Sequence, residues 1–438
     1  MTKGRDSSDV PSVRRLLLFY LPLVVLALSQ QLTYPLVGSI VSHGPLGEQE
    51  FTAYAVGQQV LFLIGAVGAG LITTGMMFCR SNVGLRNFLR MNLVIAGVSA
   101  ALQLCTCLPG IDRLVFGRAL GLDGEMLRIA RDSLLWCIPL QTIFFLRNPY
   151  LAALFNAKRS GLTNYATLLR VVMALSFASV FPLLGWTGWG WGVFATTLPA
   201  LLETLLTWWL ARPFLRGLPE LPPDGEPVSC ARQLSYTIPL SASGLLIHAS
   251  TIVIAAFLAV TPDPALFRPV HFLVIGIVNP LSISALRMQT LTVAFRPERH
   301  EVLRRIVGFG AAVGLALGCI PLIVSALSAV SRWYFCTVQN LPGTSLGMAR
   351  SAMAFAALFP LIYATRGFAE GFAAVRYRTG AVMVGQIVYF LTLLAVLSLF
   401  RFVLPVPGFL WGLAAMAVAA LSAATAILVL VRRGRFRN

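Results

Sequence analysis

Arginines inside apolar stretches are the residues of this sequence with the clearest chemical potential. Arg147 lies in an apolar run that begins at Ser133 and ends at the basic pair Lys158 and Arg159. At about 1.5 Å per residue, a continuous helix would bury Arg147 roughly 16 Å beyond that basic border. The same count places three more arginines near mid-depth of a membrane, namely Arg170, Arg287 and Arg366. A guanidinium keeps its charge and its planar donors suit phosphate or carboxylate, so these four residues predict a site for an anion.

Two of these arginines also have an alternative interpretation. Glu370 follows Arg366 by one helical turn, and an i,i+4 pair would neutralise both. The helix of Arg147 could leave the membrane early, or its side chain could extend to the interface. Arg170 and Arg287 have no acidic residue within one turn, so they are the stronger candidates for lining a cavity.

Other polar residues inside the apolar runs could complete such a site. Gln30, Gln31 and Gln141 could donate hydrogen bonds to a substrate, although bonds between helices are the alternative. Candidates for binding a coupling ion or proton are the two acids within the runs and two titratable histidines. They are Glu203, Glu370, His248 and His271. Packing alone is the alternative for both histidines.

The composition predicts an all-α polytopic membrane protein. Of 438 residues, 57% are hydrophobic and only 11% are charged, whereas soluble domains average about 25% charged residues. Twelve apolar runs are long enough to cross a bilayer. They lie near residues 16–41, 53–78, 88–108, 129–152, 163–184, 190–210, 233–260, 267–292, 306–328, 347–366, 380–402 and 408–431.

The net charge of +18 follows the alternation of the segments between these runs. Arginines and lysines concentrate in every second segment and at both ends of the chain, which indicates cytoplasmic termini by the positive-inside rule. We therefore expect a multi-pass protein of the cell (inner) membrane, with membrane lipids as partners. The basic charge is explained by topology, so no nucleic-acid partner is expected.

Three local matches indicate an internal repeat. Arg15 and Arg232 each stand seven residues before a Pro-Leu pair, and the ends CRSN and FRPE place Arg80 opposite Arg296. Arg147 and Arg366 are each followed, twelve positions on, by an arginine and then Ser-Gly or Thr-Gly. The offsets are nearly equal, so we predict two parallel six-helix repeats. The expected domains are an N-terminal bundle at 1–210, a Pro-rich cytoplasmic linker at 211–229 and a C-terminal bundle at 230–438.

This 6+6 arrangement, with a proline-bearing first helix in each half and a repeated basic turn after the fourth, resembles the multidrug/oligosaccharidyl-lipid/polysaccharide exporter (MOP) superfamily. The runs VRRLLLFYLPLVVLALSQQLTYPLVGSIV and QLSYTIPLSASGLLIHASTIVIAAFL look most like its MATE and progressive-ankylosis-type branches. The superfamily also contains polysaccharide and lipid flippases. The resemblance implies a MATE-like fold and alternating access. The major facilitator fold ranks second, because the loop CRSNVGLRNFLR lacks the acid of that family's motif.

Several motifs that would indicate other functions are missing. Cation-coupled MATE antiporters are recognised by acids in the first and seventh helices, whereas this sequence has none from Leu16 to Val41 or from Leu234 to Val260. It has no Walker loop, no catalytic acid pair or nucleophile, and no metal-ligand spacing among its seven cysteines. We therefore expect no enzymatic activity, no cofactor and no metal.

The leading hypothesis is an exporter or flippase that moves an anionic or phosphate-linked amphiphile from the cytoplasmic side outward. The substrate would be a small anion or a lipid-linked molecule. The first alternative is a MATE-like, cation-coupled multidrug exporter. The second is a membrane assembly factor that transports nothing.

Overall fold

The protein is described by a computed structural model that covers residues 10–221, 228–339 and 341–433. All regular secondary structure within these ranges is helical. The α-helices are α1 (Val13–Ser42), α2 (Glu48–Gly65), α3 (Leu71–Phe78), α4 (Asn82–Thr106), α5 (Gly124–Trp136), α6 (Ile138–Asn156), α7 (Thr163–Leu183), α8 (Trp189–Arg216), α9 (Cys230–Ala259), α10 (Pro264–Leu286), α11 (Met288–Phe295), α12 (His300–Ala326), α13 (Ser328–Ser331), α14 (Leu346–Ala356), α15 (Phe359–Val375), α16 (Thr379–Phe402) and α17 (Gly408–Arg433).

These helices match the predicted all-α membrane architecture. Eleven helical segments among the described residues are long and apolar enough to cross a membrane. The twelfth predicted span is α1, a helix of 30 residues with several side chains outside the described set. Helix α8 continues to Arg216, so the first residues of the predicted linker are helical.

The helix boundaries reproduce the predicted repeat. Both α1 and α9 have 30 residues, and both α3 and α11 have 8 residues. Two seven-residue π-helices, Arg113–Ala119 and Arg332–Val338, occupy the same place in the two halves, 219 positions apart. Each is followed by a matching hydrogen bond, from Leu122 N to Phe116 O and from Leu341 N to Phe335 O.

The turn after the fourth spanning segment is also repeated in detail. Lys158 and Tyr377 both have left-handed backbone conformations, with φ of 56° and 55°. The amides of the next residues, Arg159 and Arg378, each donate to a carbonyl five positions earlier, at 2.9 Å in both turns. This is the Schellman arrangement that ends many helices, usually with glycine at the left-handed position. Two non-glycine residues in the same conformation support a common structural origin of the two halves.

The helices pack as two compact units. One contains residues Val25–Leu245, and the other contains the chain up to Val24 together with Leu246 onward. Both boundaries fall inside long helices, α1 and α9, whereas the predicted domains follow chain order. Hydropathy locates the ends of a helix, but it does not show which neighbours each half of that helix contacts.

One aromatic contact in each unit joins these helix halves to a neighbouring helix. In the first half of α1, the ring of Phe19 meets Phe295 of α11 edge to face, with ring centres 5.4 Å apart. The equivalent contact in the other unit joins Tyr236 of α9 to Phe78 of α3, at 5.1 Å. Such edge-to-face pairs add to the energy of burial. Each unit is therefore held to its half-helix by the same type of contact.

Candidate functional site

Two buried arginines and one buried glutamate form a charged cluster within the unit Val25–Leu245. Arg147 comes from α6, Arg170 from α7 and Glu203 from α8, and all three are at most 5% exposed. Arg147 Nη1 lies 2.5 Å from Glu203 Oε2, and Arg170 Nη1 lies 3.0 Å from the same oxygen. Arg170 Nη2 also donates to the Ser29 hydroxyl of α1 at 2.8 Å. We call Arg147, Arg170 and Glu203 the N-half cluster.

Two prolines and one aromatic ring lie close to the charged residues of the N-half cluster. Pro149 follows Arg147 inside α6, and Pro199 precedes Glu203 by one turn inside α8. Proline has no amide hydrogen, so each removes one bond from the helix ladder beside a charged residue. The guanidinium of Arg147 also lies over the ring of Phe144, one turn earlier, at 5.2 Å. The arginine is thus fixed by an ion pair on one side and an aromatic face on the other.

The charges of the N-half cluster do not cancel. Its described side chains hold two guanidiniums and one carboxylate, which leaves a net charge of +1 in a buried setting. One carboxylate oxygen is shared by two guanidiniums, and repulsion between the two cations remains.

Arg366 occupies the matching position in the other unit, where the charges balance. Arg366 Nε lies 2.9 Å from Glu370 Oε1, the i,i+4 pair that the sequence predicts. Gln386 Nε2 of α16 donates to the same oxygen at 3.2 Å. The guanidinium lies 5.0 Å from the ring centre of Tyr389 and 5.8 Å from that of Tyr363. We call Arg366 and Glu370 the C-half pair.

The two sites are related by the repeat, position by position. Phe144 corresponds to Tyr363, because each lies under its arginine one turn earlier. Arg170 corresponds to Tyr389, which stands 219 positions later. The same framework therefore carries a second cation in the N half and an aromatic ring in the C half.

Three other predicted site residues lie outside the N-half cluster and the C-half pair. Arg287 is the C-cap of α10, at the break before α11, and it is partly exposed. Gln141 is buried, and its side-chain amide packs so closely against Gly65 that a Cβ at position 65 would collide with it.

His271 is 3% exposed, and its ring packs in the same way against Gly412, which is the packing role that the sequence offered as the alternative. The side chains of Gln30, Gln31 and His248 lie outside the described residues.

Sequence reasoning missed two contacts of these sites. Ser29, whose hydroxyl accepts a hydrogen bond from Arg170, directly precedes Gln30 and Gln31 and was not singled out with them. Tyr389 could have been found by adding the repeat offset to Arg170. Within the described ranges, no group of three or more His, Cys, Asp or Glu side chains is placed to hold a metal ion.

Comparison with known proteins identifies the fold. No protein-family model matches the sequence, and no curated protein matches it. Among solved structures, a MOP superfamily transporter from Pyrococcus furiosus has a TM-score of 0.75 at 16% identity, covering 99% of this chain and 98% of that one. The description of that structure states that a reversed polarity of its binding pocket suggests a different function.

Two further structures agree over nearly the whole length. An outward-facing multidrug-resistance MATE transporter has a TM-score of 0.73 at 17% identity and covers 100% of this chain and 98% of its own. A eukaryotic MATE transporter has a TM-score of 0.72 at 14% identity, covering 97% and 98%. At these identities the likeness concerns the fold. The chain has the fold of the membrane transporters of the MOP superfamily, and within it that of the MATE transporters.

Proposed function

We propose that this protein is an alternating-access transporter that moves an anionic, phosphate-linked amphiphile outward from the cytoplasmic side of the inner membrane. The fold supports transport, and the N-half cluster supports the charge of the substrate. Two guanidiniums against one carboxylate attract an anion and repel a cation. The net charge of this cluster is the observation that carries the proposal.

The chemistry of the cluster favours phosphate over a simple halide. A guanidinium presents parallel N–H donors that match two oxygens of one phosphate group. A charged group buried in a membrane protein is costly, and it is retained where it contacts a substrate or a partner charge. The positive-inside charge pattern supports cytoplasmic termini, and the superfamily resemblance alone supports the exporting direction.

A cation-coupled multidrug exporter is the second candidate. The contacts of Glu203 and Glu370 do not favour it. Glu203 is bonded to two arginines and Glu370 to one. Both carboxylates are thus occupied by cations of the protein itself. The first and seventh helices carry no acid between Leu16 and Val41 or between Leu234 and Val260. The Pyrococcus furiosus transporter, with its reversed pocket polarity, offers a precedent for such a departure within this fold.

The test compares two lipids that have the same acyl chains and headgroups of opposite charge. Purified protein is reconstituted into vesicles, and movement between leaflets is followed for a fluorescent lipid bearing a phosphate headgroup and for its trimethylammonium analogue. We expect movement of the phosphate lipid only. Arg170→Gln, which brings the cluster to zero net charge, should reduce the rate at least tenfold, and Arg170→Lys should retain part of it.

Ser176→Ala, an exposed position on the same helix, is the matched control and should transport normally. Preferential movement of the cationic lipid, dependent on a sodium or proton gradient, would instead establish the multidrug alternative. Normal transport by Arg170→Gln would remove the N-half cluster from the mechanism.

A further inference from the structure

A groove with a volume of about 900 Å³ lies where three helices of the C-terminal unit end. Helix α12 begins there at His300, α15 ends there at Val375 and α17 ends there at Arg433. All of its lining residues belong to the unit that contains Leu246 onward. The N-half cluster belongs to the other unit, so this groove is separate from the proposed transport site.

One end of the groove is basic. Its lining residues include His300, Arg376, Arg378 and Arg432, and none of the described lining residues is acidic.

Two of these arginines have their positions set by contacts with the protein. The guanidinium of Arg376 lies 5.3 Å from the ring centre of Phe372, and Arg378 Nη1 donates to the Leu430 carbonyl at 3.4 Å. Both arginines flank Tyr377, whose left-handed turn directs the chain sharply after α15.

The remainder of the groove is apolar and runs along the helices. Its walls include Val307, Phe368, Phe372, Leu428 and Val431. The wall formed by α15 extends from Thr365 to Val375, or roughly 15 Å at about 1.5 Å per residue. That length is about half of the roughly 30 Å hydrocarbon core, the depth reached by an acyl chain of one leaflet.

A basic end and an apolar channel of this length match the two parts of one molecule. We propose that the groove binds an anionic glycerophospholipid, with its phosphate among His300, Arg376, Arg378 and Arg432 and one acyl chain against Phe368 and Phe372. Basic pockets between spanning helices bind such headgroups in other membrane proteins. The bound lipid would join the ends of α12, α15 and α17.

Native mass spectrometry of the full-length protein in detergent tests this site without any transport assay. The probes are phosphatidylglycerol and phosphatidylcholine with identical acyl chains. We expect saturable binding of one phosphatidylglycerol. Arg376→Gln with Arg432→Gln should weaken this binding about twenty-five-fold, at about fivefold for each arginine. Both side chains are exposed, so the double variant should fold.

The matched control is Arg304→Gln with Arg305→Gln, which removes two exposed charges from the same end of α12 outside the groove. This pair should bind phosphatidylglycerol within twofold of wild type. An equal loss in both double variants would mean that binding follows net charge alone, and it would overturn the site. Equal affinity for phosphatidylcholine would overturn the role of the arginines.

A second variant separates a lipid from free phosphate. Val307→Trp fills the apolar channel at an exposed position and leaves the four basic residues in place. For a lipid site, this variant should lose at least tenfold in phosphatidylglycerol affinity. If Val307→Trp binds the lipid normally, and millimolar inorganic phosphate displaces it, the groove takes a phosphate ion and the proposal fails.

Discussion

Arg170 and Tyr389 occupy the same position of the internal repeat but give the two halves different charges. Arg170 is bonded to Glu203 beside Arg147, whereas Tyr389 places its ring 5.0 Å from the guanidinium of Arg366. The N half has a cation where the C half has an aromatic ring, and the glutamate comes from a different position in each half. As a result the N-half cluster has a net charge of +1, whereas the C-half pair is neutral. Removing an arginine should therefore have opposite effects on charge balance in the two halves.

The first prediction concerns this asymmetry in stability. Arg170→Gln leaves Arg147 and Glu203 as a balanced pair and removes the hydrogen bond to Ser29, so it should lower the free energy of unfolding by only about 1 kcal/mol. Arg366→Gln leaves Glu370 as a buried carboxylate without its cation, which should cost about 3 kcal/mol or more. Thermal unfolding of the purified variants in detergent measures both.

The control for this prediction is the double variant Arg366→Gln with Glu370→Gln, which removes both charges and should recover most of the lost stability. Equal destabilisation by the two single arginine variants would contradict the inferred difference in charge balance.

The second prediction concerns the carboxylate that the two arginines share. Glu203→Gln raises the net charge of the cluster to +2, so repulsion between Arg147 and Arg170 should lower the melting temperature. The same repulsion should increase the affinity for an anion. We expect added inorganic phosphate to raise the melting temperature of Glu203→Gln by several degrees more than that of wild type, because a ligand of the folded state stabilises it.

Chloride at equal ionic strength is the control, since screening alone would act equally with both salts. Identical phosphate responses in wild type and Glu203→Gln would show that phosphate does not reach the cluster.

Local spacing predicted some of these contacts, whereas helix packing decided the rest. The pair Arg366 and Glu370 follows from i,i+4 geometry on one helix, and the repeated turns at Lys158 and Tyr377 follow from a periodic motif. The contact between Arg170 and Glu203 joins α7 to α8, and it depends on how each helix is rotated about its axis. Single-sequence hydropathy contains no information on that rotation.

The repeat could have revealed more than it did. The placement of Tyr389 was available from the offset alone, once Arg170 had been singled out. The division of α1 and α9 between packing units was not available, because uniformly apolar helices give no signal of which half meets which neighbour. Charges inside such helices were the informative residues, since each needs a partner.

The third prediction concerns Glu50, a buried carboxylate outside both charged sites. It is 3% exposed, and it accepts hydrogen bonds from the Trp189 amide at 2.7 Å and the Leu46 amide at 3.3 Å. Trp189 is the first residue of α8, where free amides and the helix dipole favour an anion. We expect Glu50→Ala to cost about 2 kcal/mol of stability, because two backbone amides would lose a charged acceptor.

Glu50→Gln keeps an acceptor oxygen and removes only the charge, so it should cost about half as much. Chemical unfolding in detergent, followed by tryptophan fluorescence, separates these values. No loss of stability in Glu50→Ala would mean that water replaces the carboxylate at both amides.

The fourth prediction concerns the left-handed turn at Lys158. A side chain in this conformation brings its Cβ close to the following carbonyl and costs roughly 1 kcal/mol or more, whereas glycine adopts it freely. Lys158 is exposed, and Lys158→Gly should raise the free energy of unfolding by about 1 kcal/mol through relief of this backbone strain. Lys158→Ala retains the Cβ and should give no gain.

Arg159→Gly, at a neighbouring φ of −111°, should lower stability, because glycine only adds freedom to the unfolded chain there. A gain with Arg159→Gly, or a loss with Lys158→Gly, would show that side-chain contacts and not backbone conformation set the stability of this turn.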